Sequence, residues 1–172
     1  MRIFIIGFMG ASKTTFAREL ADVLKVEHID LDDVVERTQQ KAIDDLFAEA
    51  GEESFRGLES STLRDVISRT ENVVISLGGG TPCSDESMKL VNESGHSIYL
   101  KLPKEVLLSR LQADRDSGVS RPLLHGVEDL KKFIGSKLGE RERFYLRAHT
   151  VLDPRYVSAE ELLEYLSVRV SD

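Results

Sequence analysis

Apolar residues along this chain follow two alternating patterns. Short, continuously apolar runs recur at Arg2–Gly7, Asn72–Leu77 and Ser97–Leu102, with two weaker runs at Glu27–Leu31 and Thr150–Asp153. A strand covered on both faces of a parallel sheet reads this way, because neither face meets water. Between the runs the apolar spacing becomes helical. Phe16, Leu20, Val23 and Leu24 fall at i, i+4, i+7 and i+8, and Phe55, Leu58, Val66 and Ile67 share one stripe of a helix near Glu52–Thr70. Val106, Leu107 and Leu111 mark another helix, and Leu163, Leu166 and Val170 a last one, with Ser158 as its N-cap. This alternation predicts a three-layer α/β/α fold around a central five-stranded parallel sheet. Two stretches depart from it. Ile43–Thr70 reads as helices only, and Asp114–Gly126 has the polar, Gly/Pro-punctuated character of a mobile loop.

The chain has 172 residues, 41% hydrophobic and 31% charged, which fits one globular domain over 1–172. Its 30 acidic against 23 basic side chains leave a net charge of −7. That disfavours nucleic acid and anionic membrane as partners, since both call for a basic footprint. The lone Cys83 excludes an intrachain disulfide, and the four histidines show no metal-ligand spacing. No apolar run approaches the roughly 18 residues of a membrane span. Ile3–Ala11 has the length of a signal-peptide core, but Gly7 and Gly10 break it and it leads straight into Lys13. A buried first strand explains the run better, and a cytoplasmic protein is expected.

The first strand runs into Gly7-Phe8-Met9-Gly10-Ala11-Ser12-Lys13-Thr14-Thr15. The phosphate-loop pattern G-x-x-x-x-G-K-[ST] is met at Gly7, Lys13 and Thr14, whereas Ser12 stands where the second glycine belongs. Such a loop turns backbone N–H groups inward at a helix N-terminus whose dipole favours anions. Lysine then reaches the terminal phosphates, and the threonine hydroxyl meets Mg²⁺. The three matching positions alone occur by chance in about one chain in ten, so the strand before and the helix after carry much of the weight. A non-glycine residue in left-handed geometry costs roughly 1–2 kcal/mol. Carried into nucleotide affinity, that is a loss of about tenfold to thirtyfold.

Other constellations follow. Asp30 and Asp32, two apart in extended chain, share a face at the carboxyl edge of the sheet, where one carboxylate can assist a metal and the other accept a proton. The same residues also suit capping of a helix beginning near Asp33. Arg56 and Glu59 are helix neighbours at i, i+3; the glutamate can hold the guanidinium for bidentate grip of a carboxylate, or the two can form a solvated surface pair. Gly78, Gly79 and Gly80 follow a buried strand and let a ligand lie against bare backbone. Arg121 sits in the polar loop, where it can close over phosphates, and Arg141 lies four residues before Tyr145 on a helix. Cys83 reads as a small packing residue.

Together, G-F-M-G-A-x-K-T-T, I-D-L-D, F-R-x-x-E, G-G-G, R-P-L-L and R-x-x-x-Y resemble shikimate kinase, in order, from Met1 to about Ser158. The resemblance implies a phosphate-loop NTPase fold with a substrate-binding helical insertion (about 32–61) and a lid (about 114–126). It implies ATP-dependent phosphorylation of the 3-hydroxyl of shikimate, giving shikimate 3-phosphate and ADP in aromatic amino-acid biosynthesis. By the same resemblance, Gly10, Ala11, Ser12, Lys13, Thr14 and Thr15 hold ATP, with Arg121 from the lid and with Arg110 and Arg155 flanking adenine. Mg²⁺ is implied at Thr14, and at Asp30 through water. Asp32 is the expected proton acceptor, with Lys13 and Arg121 as its catalytic companions. Phe55, Arg56, Glu59, Gly78, Gly79, Gly80 and Arg141 join Asp32 around the substrate, in a protein acting as a monomer. Two alternatives stand beside this: a nucleotide-binding relative weakened by Ser12, and a kinase of another small hydroxy acid such as gluconate.

Overall fold

The computed structural model describes the backbone of residues 1–119 and 121–170 and, Ser120 aside, the side chains up to Glu164. Ser120 of the expected loop, and the Leu166 and Val170 side chains of the expected last stripe, lie outside the described residues.

The continuously apolar runs form strands. β1 (Arg2–Ile6), β2 (Glu27–Asp30), β3 (Val73–Ser76), β4 (His96–Leu100) and β5 (Thr150–Leu152) make one sheet in the order β2-β3-β1-β4-β5, all parallel. Phe4 of β1 pairs with Ile75 of β3 on one side and Ser97 of β4 on the other. Phe4, Ile5, Ile6, Val74, Ile75 and Ile98 are fully buried, which is why these strands show no polar alternation. Helices α1 (Lys13–Leu24), α2 (Leu31–Gln39), α3 (Ile43–Arg69), α4 (Asp85–Ser94), α5 (Lys104–Asp116), α6 (Leu130–Tyr145) and α7 (Ala159–Val170) cover both faces. α1 buries Phe16, Ala17 and Leu20, each large side chain contributing about 1.5–3 kcal/mol. Ser158 caps α7 through a reciprocal pair with Glu161: its hydroxyl accepts from the Glu161 N–H, and its own N–H donates to the Glu161 carboxylate.

Two local expectations change, and the helices-only reading of Ile43–Thr70 holds. Asp32 is not in extended chain. β2 stops at Asp30, whose side chain accepts from the Asp32 N–H and caps α2, so Asp32 belongs to the helix's first turn. The polar stretch after Asp114 is not all loop: α5 continues to Asp116 and stops at Gly118 (φ +78), and Pro122–Leu124 forms a 3₁₀ turn. The Ile43–Arg69 segment is two helical pieces joined at Gly51 (φ 76, ψ 172). Val35 of α2, Leu46 of the first piece and Phe55 of the second form a small apolar cluster separate from the main core.

Candidate active site

A cleft of about 760 Å³ opens where β1, β2 and β3 end. Strand carboxyl ends in a parallel sheet deliver loops and helix N-termini to one place, and the candidate residues gather there.

The turn after β1 carries positive φ at Gly7 (148°), Gly10 (80°) and Ser12 (63°, with ψ 33°). Ser12 thus adopts the left-handed geometry for which glycine is suited. Its hydroxyl accepts from Arg110 Nη1 at 2.8 Å, and the same nitrogen donates to Gly10 O at 3.0 Å. Ala11 is buried and its N–H is spent on Phe8 O, so it does not line the cleft. Lys13 opens α1, and its Nζ donates to Phe8 O at 3.1 Å. Burial pulls its ammonium down to about 8, against the pull of Asp32. Thr14 Oγ1 donates to Asp30 Oδ2 at 2.7 Å, and Ser76 Oγ donates to the same oxygen at 2.9 Å. Thr15 also lines the cleft.

Asp32 has the opposite electrostatics to Lys13. Burial first, then the neighbouring carboxylates Glu59 and Asp30, push its pKa up to about 7, and Lys13 and Arg56 only partly compensate. The Asp30–Asp32 pair therefore divides its work: Asp30 caps the helix and holds Thr14, while Asp32 keeps an open oxygen. Among the described residues, two buried side-chain polar atoms lack a hydrogen-bond partner: Asp32 Oδ1 and Arg141 Nη1. One is an acceptor, the other a donor, and both residues line the cleft.

Arg56 and Glu59 are not a surface pair. Glu59 is 1% exposed; its Oε2 accepts from Arg56 Nη1 and its Oε1 accepts from Thr81 Oγ1 at 2.5 Å. Burial works against the Arg56 charge, but Glu59 and Glu52 hold its pKa above the usual arginine value. The guanidinium also lies over the Phe47 and Phe55 rings, 5.7 and 5.5 Å from their centroids. The three glycines after β3 matter because side chains press on them. A β-carbon on Gly80 would overlap the Arg56 guanidinium, and one on Gly78 would sit 2.6 Å from Glu59 Oε1 and 2.7 Å from Asp32 Oδ1. Gly79 lies near Arg141 Nη1, and its carbonyl accepts from the Tyr145 hydroxyl and from Cys83 Sγ. Cys83 is half-buried against the core, and burial raises its thiol pKa.

Arg121 lines the cleft and donates from Nε and Nη2 to Asp114 Oδ2, at 3.0 and 2.5 Å. Arg155 stands apart: its guanidinium is held by Asp153 and lies over Tyr156, outside the cleft lining. Sequence reasoning missed Phe47, Thr81 and Glu52. Phe47 had a faint signal, an aromatic residue eight positions before Phe55. Thr81 had none, because its partner Glu59 is 22 residues away.

A left-handed turn at a helix N-terminus, a buried lysine, a buried carboxylate with a raised pKa and two arginines lining one cleft are the features of a phosphate-loop phosphotransferase. The family model described as shikimate kinase matches residues 9–170. A shikimate kinase of Azobacteroides pseudotrichonymphae is 40% identical over 171 residues, covering 98% of this chain and 99% of that protein. The crystal structure of the Bacteroides thetaiotaomicron shikimate kinase superposes with a TM-score of 0.86 at 36% identity, over 100% of this chain and 99% of the other. The Acinetobacter baumannii shikimate kinase in complex with shikimate gives 0.85 at 31% identity, over 99% and 93%. The chain belongs to the shikimate kinase family.

Proposed function

We infer that the protein transfers the γ-phosphoryl group of ATP to the 3-hydroxyl of shikimate, giving shikimate 3-phosphate and ADP. The observation that carries this reading is the pair of orphaned buried atoms: Asp32 Oδ1 awaits a hydroxyl proton and Arg141 Nη1 awaits an anion. Family membership supports the kinase and lends nothing to the gluconate or non-catalytic alternatives.

Arg56 and Arg141 grip the substrate carboxylate and place the 3-hydroxyl beside Asp32. A carboxylate raised to about 7 is a competent base near neutral pH, where a surface aspartate would be too weak. Asp32 takes the hydroxyl proton as the oxygen attacks the γ-phosphorus, and the bond from that phosphorus to the bridging oxygen breaks, leaving ADP. Lys13, protonated against the incoming phosphates, and Arg121 from the lid stabilise the charge on the transferring group. Gly10, Ser12 and Thr15 cradle the phosphates, and Arg110 stands on the adenine side. We place Arg155 there as well, reached only after release from Asp153.

The Thr14 hydroxyl and Asp30 carboxylate are hard oxygen donors that share a hydrogen bond, and they fit Mg²⁺, a cation that keeps several waters and takes few protein ligands. Thr14 would hold the ion directly and Asp30 through water; when bound, Mg²⁺ neutralises charge on the β- and γ-phosphates. The reading extends to a cytoplasmic monomer with residues 32–61 as substrate-binding insertion and 114–126 as lid. Its motivation is the acidic charge balance, the lone cysteine and the separate apolar cluster under the insertion. No described helix is long and apolar enough to cross a membrane.

A coupled ADP-release assay tests the activity. ADP formation is expected only with MgATP and shikimate together, and is lost in Asp32→Ala and Arg56→Ala. Shikimate-independent ADP release, or normal turnover by either variant, refutes the assignment.

A further inference from the structure

The two arginines assigned to the substrate carboxylate already share a carboxylate of the chain itself. Glu52 Oε1 accepts from Arg56 Nη2 at 3.0 Å and lies 3.7 Å from Arg141 Nη2. Among the described residues, no other acidic side chain comes within ion-pair distance of Arg141. Glu52 owes this position to Gly51, whose φ of 76° breaks the helix one residue earlier and re-aims the chain.

The two acidic partners of Arg56 differ sharply. Glu59 is buried, tied to Thr81, and engages Nη1; it is a fixed support. Glu52 engages Nη2 with a side chain 46% exposed. Its carboxylate can return to water cheaply, whereas that of Glu59 cannot.

We propose that Glu52 is an internal surrogate for the substrate carboxylate, displaced from Arg56 and Arg141 as shikimate binds and thereby setting substrate affinity. The proposal rests on the shikimate reading above. Two guanidiniums converging on one point repel unless an anion lies between them, and Arg141 is nearly buried. Glu52 supplies that anion and keeps both forks aimed inward. The substrate carboxylate needs the same donors, and two carboxylates on one pair of cations repel each other. Binding is therefore an exchange, in which shikimate gains only the difference between its own contacts and those of Glu52.

The test is shikimate affinity of Glu52→Gln by calorimetry, alongside KM for both substrates, kcat and melting temperature. Glutamine keeps the size and loses the charge. The expected result is a shikimate Kd lower by roughly two- to fivefold, the span carried by one or two half-exposed ion pairs. KM for shikimate should fall more than kcat changes, and KM for ATP should stay near wild type. A purely supporting role for Glu52 predicts the reverse, with weaker shikimate binding. An unchanged or raised Kd in a folded Glu52→Gln protein overturns the proposal. Should that variant fail to fold, Glu52→Asp, too short to span both arginines, must shift affinity in the same direction. A wild-type protein that binds no shikimate overturns the activity and this proposal together; one that binds, with variants that bind no tighter, overturns this proposal alone.

Discussion

Replacing Ser12 separates two effects that the structure superimposes at one residue. Its backbone sits at φ 63°, ψ 33°, where a β-carbon costs roughly 1–2 kcal/mol relative to glycine. Its hydroxyl accepts a charge-assisted hydrogen bond from Arg110 at 2.8 Å. Such a bond contributes about 1.5–3 kcal/mol when shielded and less at this exposed position, so about 1 kcal/mol is a fair figure. Ser12→Ala keeps the strained backbone and loses the hydroxyl; it should be the less stable by about 1 kcal/mol, or roughly 2–4 °C in melting temperature for a chain of this size. Ser12→Gly loses the same bond but sheds the strain, and should lie near wild type. The simple expectation of a tenfold gain in ATP affinity on restoring glycine is thereby revised to a change within about threefold. Thermal melts of the three proteins, with KM for ATP, decide the matter. Equal melting temperatures for the alanine and glycine variants would refute the strain argument. A glycine variant that binds ATP tenfold more tightly would refute the compensation by Arg110.

Two further outcomes follow from the same geometry. The raised pKa of Asp32 makes the substrate-free protein bind an extra proton between about pH 4 and pH 7; this contribution to stability is complete below the unfolded value of 3.8 and is lost as pH rises through about 7. Asp32→Asn should therefore melt higher than wild type at pH 8, by at least about 2 °C, while losing turnover. In wild type, kcat/KM for shikimate should rise with pH through about 7, and an unchanged melting temperature with a flat profile would dismiss the buried-base account. Gly80→Ala drives a methyl group into the Arg56 guanidinium and should raise KM for shikimate at least tenfold while leaving nucleotide binding close to wild type; a normal KM would show that the guanidinium has room to move.

The layered fold was legible because β1, β3 and β4 are buried on both sides and so carry uninterrupted apolar runs. The phosphate loop was equally legible, since its chemistry is confined to nine consecutive residues. The placement of Asp32 was legible only in part. Two-residue spacing left a shared strand face and helix capping both open, and Asp30 takes the cap and ends the strand, an outcome fixed by a single side-chain hydrogen bond. The glycine triplet was read as bare backbone for a ligand, but the chain's own Arg56, Glu59 and Asp32 fill much of that space from 19 to 46 residues away. Glu52 was invisible for a related reason: one acidic residue in a helix rich in them acquires meaning only when Gly51 turns it toward Arg141, 89 positions later. Arg155 had only a loose place in the pattern, and its side chain is taken up by Asp153.

One helix joins the two ends of the cleft mechanically. Arg110 and Asp114 lie four residues apart on α5, one gripping the glycine-containing turn after β1 and the other tethering Arg121. A single turn of helix is too stiff for these grips to drift independently, so any tilt of α5 reaches both at once. Arrival of a nucleotide at one end would then be felt at the other as a change in how firmly Arg121 is leashed, much as a rocker arm couples two valves.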